Sequence, residues 1–336
     1  MKVALILSFD HPELSKQEAL SCLKAEGIKV REFYLKNRVL IADVEANWGK
    51  LKPAFERSAT IKEAIEVLQI ITQFEEIDFK ELLKKLIHLK TFGVRASRFD
   101  GELNSREVER EIGKRILMLN PKLRVDLTHP DVWVRAISLG DKLIVGFSKH
   151  RRVKKFIERS PSKRPFLLAS TLKPKLALTL VNLSEVNSGK ILLDPFCGAG
   201  SILIEAGLLN AYVIGCDVFK KHIYGCKKNL KWLNINVLGL IRCDSTRLPI
   251  RRADSVVTDP PYGIEAPLAG KSLNEIYSLF LKNSREVLKQ NSKIVFMHPK
   301  KLSLKNPNEY GFRENFSTEI PVHGSLTRKI RVWSKI

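Results

Sequence analysis

The sequence predicts an α/β protein, and three features of its 336 residues support this prediction. In the C-terminal half, short apolar runs that end in an acidic residue alternate with helical segments, which is typical of a parallel sheet covered by helices. Residues 1–72 follow the order β-α-β-β-α-β, a ferredoxin-like pattern. The chain closes with two further strands, Phe312–Val322 and Thr327–Trp333, in the order of an antiparallel hairpin.

The N-terminal segment contains six predicted elements. We expect the helix over Ser15–Ala25 to be capped by Ser15, because a serine side chain can accept from the first free N–H groups of a helix. The segment Ile61–Ile70 is predicted as a strand, although its apolar period fits a helix equally well. The remaining elements are strands or helices at Val3–Leu7, Ile28–Leu35, Asn37–Val44 and Trp48–Arg57.

Residues 73–150 are predicted to form a second α/β segment. Two arginines, Arg95 and Arg98, lie near the end of its first strand. The predicted elements are Phe79–Leu89, Thr91–Phe99, Ser105–Leu117, Val132–Ser138 and Lys142–Ser148.

The charge balance indicates a polyanionic partner. The chain has 58 Lys and Arg against 36 Asp and Glu, a net charge of +22. Residues 151–165 are predicted to be a basic linker, and cations in and beside it would neutralise phosphates. These candidates are Lys149, Arg151, Arg152, Lys154, Lys155, Lys163 and Arg164. A basic surface that binds no polyanion is the alternative.

Several classes of protein are excluded by composition. No run reaches the ~18 apolar residues of a membrane span. The N-terminus meets Ser8 and Asp10 too early for a secretory signal, so we expect a cytoplasmic protein. The five cysteines form no C-x-x-C pair, so we expect free, mostly buried thiols and no metal site.

A glycine turn follows the first strand of the C-terminal half. Ile191–Leu193 runs into the segment Asp194, Pro195, Phe196, Cys197, Gly198, Ala199 and Gly200, after which a helix is expected with Ser201 as its N-cap. Glycines allow close approach of a ligand to the backbone. The turn matches neither G-x-G-x-x-G nor a P-loop, and a plain βα connection is the alternative.

Two further acids end the next two predicted strands. Asp217 lies 19 residues beyond Gly198, the spacing at which a carboxylate reaches the ribose hydroxyls of a bound nucleoside. Asp244 follows the strand Val237–Cys243 and is placed to accept from an adenine amino group. Helix caps at strand ends are the alternative, but successive acids favour adenosine binding.

The fourth strand ends in Asp259, Pro260, Pro261, Tyr262 and Gly263. Two prolines remove two backbone donors and stiffen the turn, so it presents oxygen acceptors. Such a corner suits a flat base with an exocyclic amine. Asp259 and the Pro260 carbonyl would accept the two N–H groups, and Tyr262 would stack on the ring. A strand-terminating loop rich in proline is the alternative.

These motifs resemble those of Rossmann-fold amino methyltransferases that use S-adenosylmethionine. The segment Gly93–Arg98 with Glu107–Gly113 resembles a THUMP domain. That resemblance implies an RNA-binding module with Arg95 and Arg98 as candidate contacts, and an α/β spacer with a solvated charged face is the alternative. Together the whole chain resembles the archaeal THUMP-domain tRNA guanosine-10 N2-methyltransferases. The resemblance implies a seven-stranded sheet with an antiparallel C-terminal hairpin in residues 166–336, preceded by a THUMP domain at 73–150 and the ferredoxin-like segment at 1–72.

The resemblance also implies the reaction. The enzyme would transfer methyl groups to N2 of a guanosine in tRNA, with Asp259–Tyr262 as the catalytic corner and the Asp194–Gly200 turn, Asp217 and Asp244 at the cofactor. We expect a monomer. Arg328, in the stretch His323–Arg328, joins the candidate RNA contacts, although the stretch fits a hairpin turn equally well. Other tRNA or rRNA guanosines, or a DNA amino group, are alternative targets.

Overall fold

The computed structural model describes residues 1–8, 10–101, 103–152, 156–263, 272–323 and 326–336. The chain forms two compact units. The first comprises Met1–Ala19, Gly27–Glu56 and Thr60–Val153, and the second comprises Leu20–Glu26, Arg57–Ala59 and Lys154–Ile336.

An eight-stranded sheet in the order β2-β3-β1-β4-β8-β7-β5-β6 forms the first unit. Its antiparallel β1–β3 and β1–β4 pairs give the ferredoxin-like order predicted for residues 1–72. The helices and strands of this region are β1 (Lys2–Leu7), α1 (Pro12–Ala25), β2 (Val30–Lys36), β3 (Val39–Val44), α2 (Trp48–Arg57), β4 (Ile61–Ile71), α3 (Phe79–Leu86), β5 (Thr91–Arg98), α4 (Ser105–Leu119), β6 (Arg124–Val125), β7 (Val132–Leu139) and β8 (Lys142–Arg151).

The strand β4 joins the two halves of this sheet. It pairs with β1 on one side and with β8 on the other, both antiparallel. One continuous sheet therefore contains strands from both sides of residue 72. The boundary expected there between two domains remains a prediction. Of the two alternatives for this segment, the strand is confirmed, because β-branched and apolar residues fill a position in the middle of a sheet.

Two boundaries in the first unit differ from the predicted ones. Helix α1 begins at Pro12, so Ser15 lies inside it and is not its cap; the buried Ser15 hydroxyl donates to the Ser8 carbonyl at 3.1 Å. Pro12 favours this earlier start because proline fits the first turn of a helix. Strand β8 continues to Arg151, which places Lys149 and Arg151 in a paired strand, where they were not expected.

A seven-stranded sheet in the order β11-β10-β9-β12-β13-β15-β14 forms the second unit, as predicted. Strands β10, β11, β9, β12 and β13 pair in parallel, and β15 pairs antiparallel with both β13 and β14. The elements are α5 (Pro174–Leu183), β9 (Ile191–Asp194), α6 (Ser201–Leu208), β10 (Tyr212–Asp217), α7 (Lys220–Trp232), β11 (Val237–Arg242), β12 (Ala253–Thr258), α8 (Leu273–Val287), β13 (Leu288–Pro299), β14 (Phe312–His323) and β15 (Leu326–Lys335).

Aromatic side chains dominate the core between α8 and the C-terminal strands. Tyr277 and Phe280 of α8 pack against Phe296 and Trp333, all buried. The Phe296 and Trp333 rings meet edge to face at 5.0 Å. Parallel strands carry their carboxyl ends to one edge of a sheet. The segments that follow β9, β10 and β12 therefore lie at the same edge.

The described ranges also bear on the predicted thiols. The five cysteines are free, and all but Cys243 are buried, which confirms the predicted thiols. No helix there has the length and apolarity to cross a membrane. No group of three His, Cys, Asp or Glu side chains is arranged to hold a metal ion in those same ranges.

Candidate active site

Asp194, the acidic residue at the end of β9, is buried and hydrogen-bonded to the glycine turn. Asp194 is 2% exposed, and its Oδ1 accepts from the Thr258 hydroxyl at 2.6 Å and from the Phe196 N–H at 3.2 Å. These bonds tie the ends of β9 and β12 together. Burial raises the pKa of the Asp194 carboxyl to about 7, because the charged form loses its hydration.

The turn itself is closed by left-handed glycines. Gly198 has φ +47° and Gly200 has φ +82°, and the Gly200 N–H donates to the Cys197 carbonyl at 2.7 Å. A Cβ on Gly200 would lie 2.6 Å from the Cys226 sulfur of α7, so only glycine fits there. Gly200, and not Ser201, precedes the first turn of α6 as its cap. The prediction for Ser201 was wrong because its hydroxyl donates to the Leu172 carbonyl at 3.1 Å.

Asp217 connects β10 to the turn. Its Oδ2 accepts from the Gly198 N–H at 3.0 Å, and its Oδ1 accepts from the Phe219 N–H at 2.9 Å. The His222 ring nitrogen lies 3.1 Å from the same Oδ1. Asp217 is 8% exposed, whereas the neighbouring Phe219 ring is partly open to solvent. A carboxylate held beside an open glycine backbone and an aromatic ring fits a nucleoside.

The third acid is placed differently. Asp244 is exposed and lies beyond the end of β11, where its Oδ1 accepts from the Thr246 N–H at 2.8 Å. Strands β11, β10 and β9 are neighbours in the sheet, so Asp194, Asp217 and Asp244 follow adjacent strand ends. The alternative interpretation, in which Asp244 caps the segment that follows it, expects this bond to the backbone. The role of Asp244 at the cofactor remains a prediction.

The proline corner follows β12, which pairs with β9. The corner therefore lies at the same sheet edge as the glycine turn. The Tyr262 hydroxyl donates to Asp259 Oδ1. The Tyr277 hydroxyl of α8 donates to the Met297 carbonyl at 3.2 Å and lies 3.4 Å from the Pro261 carbonyl. Within the described ranges, no hydrogen bond reaches the carbonyl of Pro260, a buried residue.

The electrostatics of the corner favour a tyrosine donor and an acceptor carboxylate. Burial raises the pKa of the Asp259 carboxyl to about 6, and the Arg328 charge and the Tyr262 hydrogen bond oppose this rise. Burial and the Asp259 charge raise the pKa of the Tyr262 phenol, which therefore stays protonated. At neutral pH Asp259 is mainly ionised and can accept hydrogen bonds.

Four residues at this edge of the sheet make contacts that were not predicted from the sequence. They are Thr258, His222, Tyr277 and Arg328. Thr258 directly precedes Asp259, so its position in the motif was a usable signal. His222 lies five residues after Asp217 and contacts it, so it too was close in sequence to a predicted residue. Tyr277 comes from α8 and Arg328 from β15, and only the fold brings these two to the corner.

The predicted RNA contacts separate into exposed and engaged side chains. Arg98 and Lys163 are exposed. Arg95 is half-exposed, stacks 5.0 Å over the Trp133 ring and lies 4.0 Å from Glu109. Lys149 pairs with Glu66 at 3.3 Å, and Arg151 lies 4.0 Å from Glu63.

Two of the remaining contacts are less accessible. Arg152 is half-buried. Arg164 is 6% exposed and donates to the Ser201 hydroxyl at 2.6 Å, and this burial argues against the RNA contact predicted for Arg164. Lys154 and Lys155 lie outside the described residues.

Comparisons with known proteins agree with this geometry. Residues 161–330 match the family described as RMKL-like, methyltransferase domain, and residues 69–147 match the THUMP domain. The chain is 34% identical to a tRNA (guanine(10)-N2)-dimethyltransferase from Methanothermobacter thermautotrophicus, with 100% of both chains covered. It is 30% identical to the protein of the same name from Methanocaldococcus jannaschii, over 99% of this chain and 100% of the relative.

A solved structure shows the same fold. TrmN from Thermus thermophilus superposes with a TM-score of 0.55 at 20% identity, over 100% of this chain and 99% of that chain. S-adenosylmethionine is the methyl donor that the matched methyltransferase domain implies. Asp217, bonded to Gly198, lies at the turn where the sequence predicts the nucleoside part of this cofactor. With both domains matched and relatives similar over the full length, the chain belongs to the archaeal THUMP-domain tRNA guanosine-10 N2-methyltransferase family.

Proposed function

We propose that this chain transfers methyl groups from S-adenosylmethionine to the exocyclic N2 of guanosine 10 in tRNA, giving N2-methylguanosine and then N2,N2-dimethylguanosine. The observation that carries the proposal is the proline corner at the carboxyl edge of the sheet. There the Asp259 carboxylate and the Pro260 carbonyl would offer two acceptors, at the sheet edge that also carries the Gly198 turn. The named target of the relatives supports the tRNA position.

The acceptors match the chemistry of the target amine. Guanine N2 is a poor nucleophile because its lone pair is delocalised into the ring. Asp259 and the Pro260 carbonyl would each accept one N–H, which orients the nitrogen and favours positive charge on it. One Asp259 oxygen already accepts from Tyr262, so its second oxygen remains for the amine.

The bound cofactor would supply a methyl carbon on a sulfonium, a good leaving group. As the new N–C bond forms, the nitrogen must lose one proton. Asp259 is placed to accept it, because it is held as a carboxylate next to that nitrogen. The Tyr262 ring would stack on the base, which offsets part of the cost of unpairing it, a few kcal/mol in similar enzymes.

We also propose how the chain divides this work. Residues 1–72 and 73–150, together with the basic segment 151–165, would bind the tRNA, and residues 166–336 would carry out the transfer. Among the predicted contacts, the exposed cations that would contact phosphates are Arg95, Arg98, Lys149, Arg151 and Lys163. Because one chain carries both kinds of domain, we propose that it acts as a monomer in the cytoplasm.

Nucleoside mass spectrometry tests the proposal. The protein would be incubated with a tRNA transcript and S-adenosylmethionine carrying a labelled methyl group. We expect labelled N2-methylguanosine and N2,N2-dimethylguanosine that map to position 10. A matched transcript with adenosine at that position should remain unlabelled. Label in adenosine or cytidine, or no label in tRNA, would contradict the proposal.

A further inference from the structure

We propose that Arg328 is a positioning residue of the methyl transfer, which keeps Asp259 ionised and holds its carboxylate in place through Tyr262. The inference rests on the proposed function of the proline corner. It gives Arg328 a role that differs from the RNA contact predicted from the sequence.

The first support is the stacking of Arg328 on the corner. Its guanidinium carbon lies 5.2 Å from the centre of the Tyr262 ring, and the hydroxyl of that ring donates to Asp259 Oδ1. A guanidinium over an aromatic face is an attractive cation–π contact. Arg328, Tyr262 and Asp259 therefore form a chain of contacts that ends at the proposed proton acceptor.

The position of Arg328 in the sheet makes this contact a feature of the fold. Arg328 lies in β15, opposite Pro299 of β13 and Ile320 of β14. Both neighbouring strands are hydrogen-bonded to β15, so the backbone of Arg328 is held on two sides.

The second support is the incomplete pairing of the Arg328 side chain. Its Nε atom is buried and has no hydrogen-bond partner among the residues that the structure describes. In the same ranges Arg328 forms no ion pair. A buried donor without an acceptor is uncommon in folded proteins and calls for an explanation. Within the described ranges, Arg328 is therefore a cation without a paired anion, and its guanidinium lies over the Tyr262 ring of the corner.

The third support is the set of charged and titratable groups around Asp259. Tyr262 of the corner and Tyr277 of α8 are neutral phenols, because burial raises the pKa of both. Asp194 of β9 is an acid, and the Asp259 charge contributes to its raised pKa. Arg328 is the cation that lowers the pKa of Asp259 against the effect of burial. Its loss should leave Asp259 more easily protonated.

The test is the pH profile of kcat at saturating tRNA and S-adenosylmethionine. Wild type should lose activity on the acidic side with an apparent pKa of about 6. Arg328→Gln should move that limb upward by about 1 pH unit, the smaller end of the shift that a nearby opposite charge produces. Arg328→Lys should restore most of the profile. Arg313→Gln, at an exposed position of β14, is the matched control and should leave it unchanged.

Two results would overturn the inference. A raised KM for tRNA with an unmoved pH profile would make Arg328 an RNA contact. An equal loss of kcat at every pH would make it a structural residue. If wild type itself methylated no tRNA, the proposed function would fail, and a second measurement would still decide the role of Arg328.

That measurement is a carbon-13 NMR titration of aspartate carboxyls, with Asp259 assigned through Asp259→Asn. The inference expects a midpoint for Asp259 near 6 in wild type and a higher midpoint in Arg328→Gln. An unchanged midpoint would overturn it without reference to any activity.

Discussion

The Asp217 carboxylate accepts a hydrogen bond from the Gly198 N–H at 3.0 Å, which links the end of β10 to the glycine turn after β9. Strands β9 and β10 are parallel neighbours, so this bond joins two adjacent strand ends. It fixes the turn against the end of β10 and places a carboxylate oxygen beside the Gly198 backbone. The predicted contact of Asp217 with the ribose hydroxyls of a nucleoside remains a prediction.

The first prediction concerns Asp217→Asn. The variant keeps the size of the side chain but loses the charge that would bind the ribose hydroxyls. It also replaces one of the two oxygens that accept from the Gly198 and Phe219 N–H groups with an amide donor. We expect the Kd for S-adenosylmethionine to rise about 10- to 100-fold, the usual size of a lost charged hydrogen bond. Isothermal titration calorimetry measures it. Asp141→Asn, in the exposed turn between β7 and β8, should bind as wild type does. An unchanged Kd in Asp217→Asn would remove Asp217 from the cofactor site.

A second prediction separates binding from turnover at the corner. Asp259→Ala should lower kcat by about 10²- to 10³-fold, because the amine loses an acceptor that orients it and takes its proton. The Kd for tRNA should stay within about twofold, since Asp259 contributes one contact among many phosphate contacts. Single-turnover kinetics and filter binding measure the two quantities. Equal losses in both would contradict the role given to Asp259.

A third prediction uses the packing of Gly200 against α7. Gly200→Ala meets both the left-handed φ of +82° and a contact 2.6 Å from the Cys226 sulfur. Gly189→Ala is the matched control, because Gly189 has φ +75° with no atom within 4 Å of the added Cβ. Both should lose about 1–2 kcal/mol of unfolding free energy to backbone strain.

Gly200→Ala should lose about 1–3 kcal/mol more through overpacking. Urea denaturation measures the difference, and Cys226→Ala in the Gly200→Ala background should recover part of it. Equal stability of the two single variants would show that the turn relaxes around the new methyl group.

Much of this architecture was readable from the sequence, for a local reason. Strand ends, glycine turns and Asp-Pro-Pro-Tyr are short-range patterns, and the parallel sheet order then gathers Asp194, Asp217 and Asp259 at one edge. Features that depend on distant strands were not readable. Arg328 reaches Tyr262 only through the pairing of β13 with β15, and Arg164 is buried against Ser201 by the segment that precedes α5. In a stretch of basic residues, the sequence does not indicate which side chains are exposed to solvent and which are buried.

The fourth prediction tests whether the exposed basic residues contact tRNA and the buried one does not. Arg98→Ala and Lys163→Ala should each reduce the slope of log Kobs against log salt for tRNA by about 1, the effect of one lost phosphate contact. Arg164→Ala should leave that slope unchanged and lower the Tm, because it removes a buried bond to Ser201. Fluorescence titration over a range of salt concentrations measures the slopes. A reduced slope in Arg164→Ala would return this residue to the RNA surface.

The last prediction concerns the buried acid of the turn. Burial raises the pKa of Asp194 to about 7, so its ionised form destabilises the folded state. This penalty is absent below the unfolded pKa of about 4, grows as pH rises and is complete above about 7. Asp194→Asn retains an oxygen that can accept from Thr258 and Phe196 without the charge. It should therefore unfold like wild type at pH 4 and gain up to about 4 kcal/mol at pH 8.

An acid that lowers stability calls for a functional reason, and we propose that the reason is cofactor binding. S-adenosylmethionine carries a cationic sulfonium and a cationic ammonium as well as one carboxylate, so an anionic turn would favour its net positive charge. Asp194→Asn should therefore bind it more weakly than wild type at pH 8 while it unfolds at higher urea. Calorimetry and urea denaturation on the same samples measure the pair. A variant that is more stable and binds equally well would show that the Asp194 charge serves neither binding nor folding.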